Sequence, residues 1–484
     1  MTLSINFDNS YARLPDSFYQ HQLPTSVASP SLLKVNHDLA KMLNIDAAEL
    51  ESKEGVDVLA GNAIPQGAEP IATVYAAHQF GNWNPQLGDG RAVLLGEVIN
   101  QETKRFDLQL KGSGRTPYSR GGDGRAPLGP VLREYIVSEA MFALGVPTSR
   151  SLAAVTTGEM VMRDEAQPGA VLTRVAKSHI RIGTFQFFAS KGDTQALKAL
   201  ADHVIVRHYP HAGKYENPYL GLLHGVIENT ASLVSRWQQV GFIHGVMNTD
   251  NMLISGETVD YGPCAFMDAY HPETVFSSID VAGRYAYQNQ PKIAHWNVAN
   301  FAQCLIPLLD ENEDIAVQIA SEELDNFPDV FYQHHRQAMA AKIGISEPDD
   351  NTDGLMRDLL SLMAEDQQDF TQTFTALANH IDKKSIKEDG HSLPAMFTPW
   401  IDRWRNLLID PDLSKKLMIQ TNPQIIPRNH RIEEAIQSAI SGDYQPFHDM
   451  VEVLKQPFDQ TLASSIYALA PKEDQLVEKT FCGT

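Results

Sequence analysis

The spacing of apolar residues along this 484-residue chain changes near residue 190. Between about residues 71 and 188 it favours strands. Residues 91–99 form a β-like run, and Arg105–Lys111 alternates cleanly. Phe106, Leu108 and Leu110 share one face, and Asp107, Gln109 and Lys111 the other, as a period of two requires. A helix should follow, with Pro130 near its first turn and Leu132, Ile136, Ala140 and Leu144 at helical spacing. Gly145 and Pro147 mark its end. Residues 151–156 and 170–175 read as further strands. Beyond residue 190 the spacing predicts helices over 193–208, 220–241, 294–309, 312–324, 328–342 and 353–380, with more to the end. Residues 1–70 read as a polar entry with one short helix over 29–44. Breaks rich in Pro, Asp and Gly fall at 346–354 and 385–394. The expected class is α+β in three parts: 1–188 strand-rich, 189–385 helical, and 386–484 a helical extension ending in a cysteine-containing tail.

A chain this long needs two or three packed units. Its composition, 43% hydrophobic and 20% charged, is that of a soluble globular protein. Lys and Arg number 39 against 60 Asp and Glu, a net charge of −21. That balance argues against broad binding to nucleic acid or anionic membranes. Any phosphate site must then be a local basic pocket in an acidic body. The opening residues do not resemble a secretory signal, and no apolar run is long enough to span a bilayer. The cysteines, Cys264, Cys304 and Cys482, are sparse and unpaired by motif, which fits a reducing, cytoplasmic setting and offers no zinc site.

The strongest chemical signal is His244-Gly-Val-Met-Asn-Thr-Asp-Asn251, followed by Asp260-Tyr-Gly262. It resembles a protein-kinase catalytic loop and metal-binding tripeptide. In H-R-D-x-x-x-x-N the Asp accepts the substrate hydroxyl proton and the Asn holds metal. Here Val246 stands at the Asp position and cannot accept a proton, while Asn251 is kept. Asp250 could simply cap a turn. It is also the carboxylate of this loop able to replace the missing base. Asn251 and Asp260 offer oxygen ligands suited to Mg²⁺ or Mn²⁺. The residues between them read as a short hairpin turning at Ser255-Gly256, which would bring both to one end.

Four further features bear on phosphate. Gly88-Asp-Gly90-Arg91 precedes a strand; glycines let amides approach phosphate, yet alone it reads as a hairpin turn. Lys111 ends the alternating strand. By itself it reads as solvent-facing, but a helix Glu downstream suggests the ion pair that holds phosphates in kinases. Glu134 is the candidate partner and Glu139, on a different helical face, its rival. The loop from Lys111 to Arg125 holds five glycines, three arginines and Asp123-Gly124, a composition suited to a phosphate nest. Arg174 and Arg181 flank a strand-to-turn segment; read alone they are surface arginines, though arginine binds phosphate bidentately.

Together these motifs resemble the selenoprotein O (SelO, YdiU) pseudokinases. The resemblance covers nearly the whole chain, from Phe7-Asp-Asn-Ser-Tyr11 through the Gly88, Lys111 and His244 motifs to Asp260-Tyr-Gly262. It implies a two-lobed, protein-kinase-like fold that binds ATP in a flipped orientation. It further implies transfer of AMP to Ser, Thr or Tyr hydroxyls of proteins, with release of pyrophosphate. By the same resemblance Asp250 is the proton acceptor, Asn251 and Asp260 hold Mg²⁺ or Mn²⁺, and Lys111, held by Glu134, contacts phosphate. Gly88, Gly90, Arg91, Asp123, Gly124, Arg174 and Arg181 would line the nucleotide site. Cys482 matches a tail position that carries selenocysteine in animal relatives, so it reads as either a stray thiol or a redox handle with Cys264 or Cys304 as partner. Rival readings are UMP transfer from UTP with Mn²⁺, an ordinary γ-phosphoryl kinase using Asp250, and a non-catalytic nucleotide-binding scaffold.

Overall fold

The structure is a computed structural model and describes residues 5–381 and 393–481. It is a mixed α/β protein built around one antiparallel sheet. The strands are β1 (Tyr19–His21), β2 (Ser31–Val35), β3 (Ile71–Gln79), β4 (Asn82–Gly88), β5 (Ala92–Ile99), β6 (Arg105–Lys111), β7 (Ala126–Pro127), β8 (Arg150–Met162) and β9 (Ala166–Ala176). Their order is β1-β3-β5-β6-β9-β8-β2, with β4 on β3 and β7 on β9.

The register of β6 prepares the site. Lys111 pairs with Ala92 of β5 and with Leu172 of β9, and Gln109 pairs with Arg174. Side chains two apart on a strand share a face, as do directly opposed residues. Lys111 and Arg174 are therefore diagonal neighbours on one face. That face is not exposed as alternation suggested: Asp107, Gln109 and Arg174 are all buried. Asp107 accepts from His179 N at 2.8 Å and is paired with the Arg207 guanidinium. Lys111 faces the Leu128–Ala143 helix, whose Leu132, Ile136 and Ala140 are buried in the main core.

Several expectations are corrected. Residues 29–44 are not one helix: Ser31–Val35 pairs with β8, and the helix starts at His37 after Asn36, whose side chain accepts from Leu39 N at 3.1 Å. A polar cap ends the strand and starts the helix. The 353–380 segment is two helices, Asp350–Glu365 and Phe370–Asn379, broken where Gln367 adopts φ 50°. The helix Ile182–Ala189 was not anticipated, because residues such as Phe185, Phe187 and Phe188 make it apolar on every side. The break at 385–394 falls mostly outside the described residues. The remaining long helices, Thr194–His208, Pro218–Val240, Gln290–Leu309, Glu313–Leu324 and Phe327–Lys342, lie close to their expected bounds.

C-terminal helices return to the first half of the chain. Asn429–Ile440 lies against the Leu128–Ala143 helix, where Arg133 donates to Asn429 Oδ1 at 3.0 Å and pairs with Glu433. Tyr135 meets Phe447 edge-on, ring centroids 5.5 Å apart. Glu134 thus sits on a helix held from both sides. No helix among the described residues is long and apolar enough to cross a membrane.

Candidate active site

Lys111, Glu134, Arg174, Arg181 and Asp260 form one buried ionic cluster. Lys111 Nζ lies 2.5 Å from Glu134 Oε2 and 3.1 Å from Asp260 Oδ1. Arg174 Nη2 lies 2.5 Å from Glu134 Oε1 and 2.7 Å from Asp260 Oδ1. Arg181 Nη1 lies 2.8 Å from Asp260 Oδ2 and also donates to the carbonyl of Asp250. Burial opposes the charged form of every member. The geometry overrides it for the carboxylates: Arg174 and Lys111 hold Glu134 below the usual range, and Arg174, Lys111 and Arg181 hold Asp260 well below it. Burial, together with Arg174, pulls the Lys111 ammonium down. Glu139 plays no part. It accepts from Arg150 and Ser151 N on another face of the helix.

The cluster forms the floor of a cavity of about 750 Å³. Gly88, Gly90, Arg91, Asp123, Gly124, Asp250 and Asn251 also line it, as does Val246. Glu134 lies behind Lys111 rather than on the wall. Seven basic side chains (Arg91, Lys111, Arg120, Arg125, Arg163, Arg174 and Arg181) face four carboxylates (Asp89, Asp123, Asp250 and Asp260). That is a local cationic surplus inside an acidic protein, the condition a phosphate ligand needs.

The glycines have a packing cause. A Cβ on Gly88 would lie 2.4 Å from the Tyr118 ring, and one on Gly90 2.8 Å from the Tyr118 carbonyl oxygen. The loop after Lys111 therefore folds down on the Gly88–Gly90 turn. That turn is not a hairpin, since β4 pairs with β3. The loop is pinned, with Ser113 bridged to Arg125 and Gly114 N donating to Gly124 O at 3.0 Å. Asp123 stands at its rim in a bidentate pair with Arg163, at 2.9 and 3.1 Å. None of Arg163, Gln79, Asp89 and Tyr118 is singled out by the sequence. Asp89 and Tyr118 lie inside the glycine turn and the Lys111–Arg125 loop, whereas Gln79 and Arg163 reach the site through long-range contacts that no local spacing marks.

Asp250 sits in the 3₁₀ turn Thr249–Asn251 and is buried. Burial raises its carboxyl to about 6, against the pull of Arg181 and of a hydrogen bond from Gln79. Its Oδ1 has no protein partner. The expected hairpin between Asn251 and Asp260 is absent. Instead Gly256 N donates to Leu253 O in a turn, and Leu253 and Thr258 bridge to Arg181 and Thr148. Both ends nevertheless reach the cavity. Asp260 adopts φ 61°, a left-handed conformation that Asp tolerates better than most residues.

Asn251 Nδ2 donates to Val246 O at 3.0 Å, so the amide oxygen is the atom left to ligate. Two oxygen donors, completed by phosphate oxygens and water, suit Mg²⁺ or Mn²⁺. Among the described residues no group of three or more His, Cys, Asp and Glu could hold a metal by itself. The donor set therefore fits a metal that arrives with a nucleotide. Cys482 lies outside the described residues. Cys264 and Cys304 are buried, and burial pushes the Cys304 thiol up to about 12.

The sequence profile of the family described as Protein adenylyltransferase SelO matches residues 1–455. Relatives described as protein nucleotidyltransferase YdiU are similar along their full length. That of Bradyrhizobium diazoefficiens is 54% identical over 491 residues, covering all of both chains. That of Rhodopseudomonas palustris strain BisB5 is 54% identical over 492 residues, again covering all of both. That of Nitrobacter hamburgensis is 53% identical over 487 residues, 99% of this chain and 96% of its own. The chain belongs to the protein adenylyltransferase SelO family and is a nucleotidyltransferase.

Proposed function

We propose that this enzyme transfers AMP from ATP to Ser, Thr or Tyr hydroxyls of other proteins and releases pyrophosphate. One observation carries the reading: a buried carboxylate, Asp250, stands beside the oxygen donors Asn251 and Asp260, while Val246 fills the place of a kinase base. The fold would be a kinase-like, two-lobed one put to different use. Residues 1–188 would form the strand-rich lobe, 189–385 the helical lobe, and 386–484 an extension.

In this reading ATP lies reversed. Its γ-phosphate points at Arg174 and Arg181, which are buried and can make planar, bidentate contacts. Lys111, oriented by Glu134, meets the phosphate chain. The α-phosphate then faces outward to the acceptor. Asp250 takes the hydroxyl proton, the oxygen attacks the α-phosphorus, and the bond to the β-phosphate oxygen breaks to release pyrophosphate. A bound Mg²⁺ or Mn²⁺ would neutralise charge on the phosphate oxygens. Arg91, Asp123 and Gly124 belong to the nucleotide wall, Asp123 by fixing Arg163. The setting is cytoplasmic, and neither nucleic acid nor membrane is a partner.

The relatives' description as nucleotidyltransferases is broader than adenylyl transfer and keeps UMP transfer from UTP with Mn²⁺ as a second reading. Both are tested by measuring pyrophosphate release and the intact mass of an acceptor protein with ATP and with UTP. One AMP added per pyrophosphate supports the first reading, and one UMP the second. Bound nucleotide with no product from either would support a scaffold.

A further inference from the structure

The tip of the β3–β4 hairpin is fastened to the segment that carries Asp250. His78 N donates to Thr249 Oγ1 at 2.8 Å, and Phe80 N donates to Asn248 Oδ1 at 2.9 Å. Phe80 adopts φ 51° to do so, an uncommon conformation for a bulky residue. Between these two bonds, Gln79 Nε2 donates to Asp250 Oδ2 at 3.1 Å. Asn84, on the opposite strand of the hairpin, donates its Nδ2 to Gln79 Oε1 at 2.9 Å.

These contacts fix which end of the Gln79 amide faces the carboxylate. An ionised carboxylate only accepts, so the amide NH₂ must point at Asp250. Asn84 occupies the amide oxygen and holds it there. One oxygen of Asp250 is thereby engaged, and the other, Oδ1, is buried with no protein partner and keeps its lone pairs. The hairpin does not need Gln79 for its own attachment. The bonds from His78 and Phe80 are made by backbone N–H groups, which any non-proline residue at 79 would leave in place.

We infer that Gln79 is a positioning residue for nucleotidyl transfer: it holds Asp250 Oδ2 so that Oδ1 is presented to the acceptor hydroxyl, and Asn84 in turn orients Gln79. This rests on the reading of Asp250 as proton acceptor. The acceptor-binding side of the cavity is then set by the β3–β4 hairpin, which also contributes Phe80 to the wall.

The test uses the full-length protein, transfer from α-labelled ATP, and ATP binding by calorimetry. Gln79→Leu removes the donor at similar volume. Its kcat is expected to fall about 10- to 100-fold, the effect of losing a hydrogen bond to a charged group, while KM for ATP stays within about twofold. Asn84→Leu should lower kcat in the same direction by less. In an Asp250→Asn background, Gln79→Leu should cost no more than about a further twofold, because a residue acting through Asp250 has nothing left to act on. Where that background leaves too little transfer to measure, the split between kcat and KM decides. An unchanged kcat in Gln79→Leu, a raised KM at constant kcat, or a full additional loss beside Asp250→Asn would each overturn the inference. If Gln79→Leu no longer binds ATP, Asn84→Leu decides, and an unchanged kcat there overturns it. Full activity in Asp250→Asn would instead remove the reading of Asp250 itself.

Discussion

Lys111 Nζ and Glu134 Oε2 are 2.5 Å apart, and neither is exposed enough to find a substitute partner in water. Arg174 holds the other oxygen of the same carboxylate. Removing the Glu134 charge therefore leaves Lys111 and Arg174 to share the one carboxylate of Asp260 with Arg181. Glu134→Gln should lose about 3 to 5 kcal/mol of stability, as expected when one side of a buried pair is deleted. Denaturant unfolding measures this, and nucleotide transfer should fall with it. Glu139→Gln makes the contrast, because Glu139 faces Arg150 instead. It should keep the transfer kcat within about twofold, since the partners of Glu139, namely Asn36, Arg150 and Ser151, do not line the cavity.

Asp260 faces Lys111, Arg174 and Arg181 at once. Three cations beside one carboxylate oppose a divalent ion by simple repulsion. Nucleotide phosphates reverse that balance by drawing the cations to themselves. Mn²⁺ affinity, read by calorimetry or paramagnetic resonance, should rise at least about tenfold when a non-hydrolysable ATP analogue is present. Asp260→Asn should abolish that gain. Equal Mn²⁺ affinity with and without nucleotide would show that the cations do not gate the site.

Lys342 tests the fold independently of the chemistry. Its ammonium is buried against the rings of Phe370 and Phe374, at 5.1 and 4.2 Å, and burial lowers it from 10.5 to about 7. Below about pH 7 both folded and unfolded chains carry this proton, and the fold bears the full cost of the buried charge. From there up to about 10.5 the unfolded chain binds more protons, so this group makes stability rise with pH. Lys342→Met should therefore be more stable than the parent, most clearly near about pH 6, with the gain shrinking toward pH 10. A constant difference across that window would contradict the shift.

Gly183 lets the Ile182–Ala189 helix approach β3. A Cβ there would lie 2.1 Å from Ala76 O, with Asp250 Cα at 3.6 Å. Gly183→Ala should destabilise by about 1 to 3 kcal/mol, as overpacking does. Transfer should fall too, because the strain lands on the backbone around Asp250. Thermal unfolding together with kcat measures both.

How far the sequence was legible follows from how each residue reaches the site. Lys111, Asn251 and Asp260 belong to short motifs whose spacing carries chemistry. Helical periodicity separates the faces of Glu134 and Glu139 without saying which meets Lys111; the family resemblance selects Glu134, and Glu134 is the one that pairs with Lys111. Arg174 and Arg181 looked like surface arginines, since only the β6–β9 register places Arg174 beside Gln109 and near Lys111. Gln79 and Arg163 carried no local mark at all. Gly88 and Gly90 were read for phosphate or a hairpin, whereas their small size is required by Tyr118, a residue about thirty positions away. The polar face of β6 misled for a related reason: alternation signals one wet face only when the polar side chains lack buried partners, and here His179, Arg207 and Glu134 supply them.

In the proposed reaction Asp250 drives transfer of the AMP moiety of ATP. The most direct measurement incubates the protein and an acceptor with Mg²⁺ or Mn²⁺ and ATP labelled at either the α- or the γ-phosphate. Label should enter protein from α-labelled ATP alone, and Asp250→Ala should abolish it. Label entering from γ-labelled ATP alone would contradict the account and make this site a phosphoryl-transferring kinase.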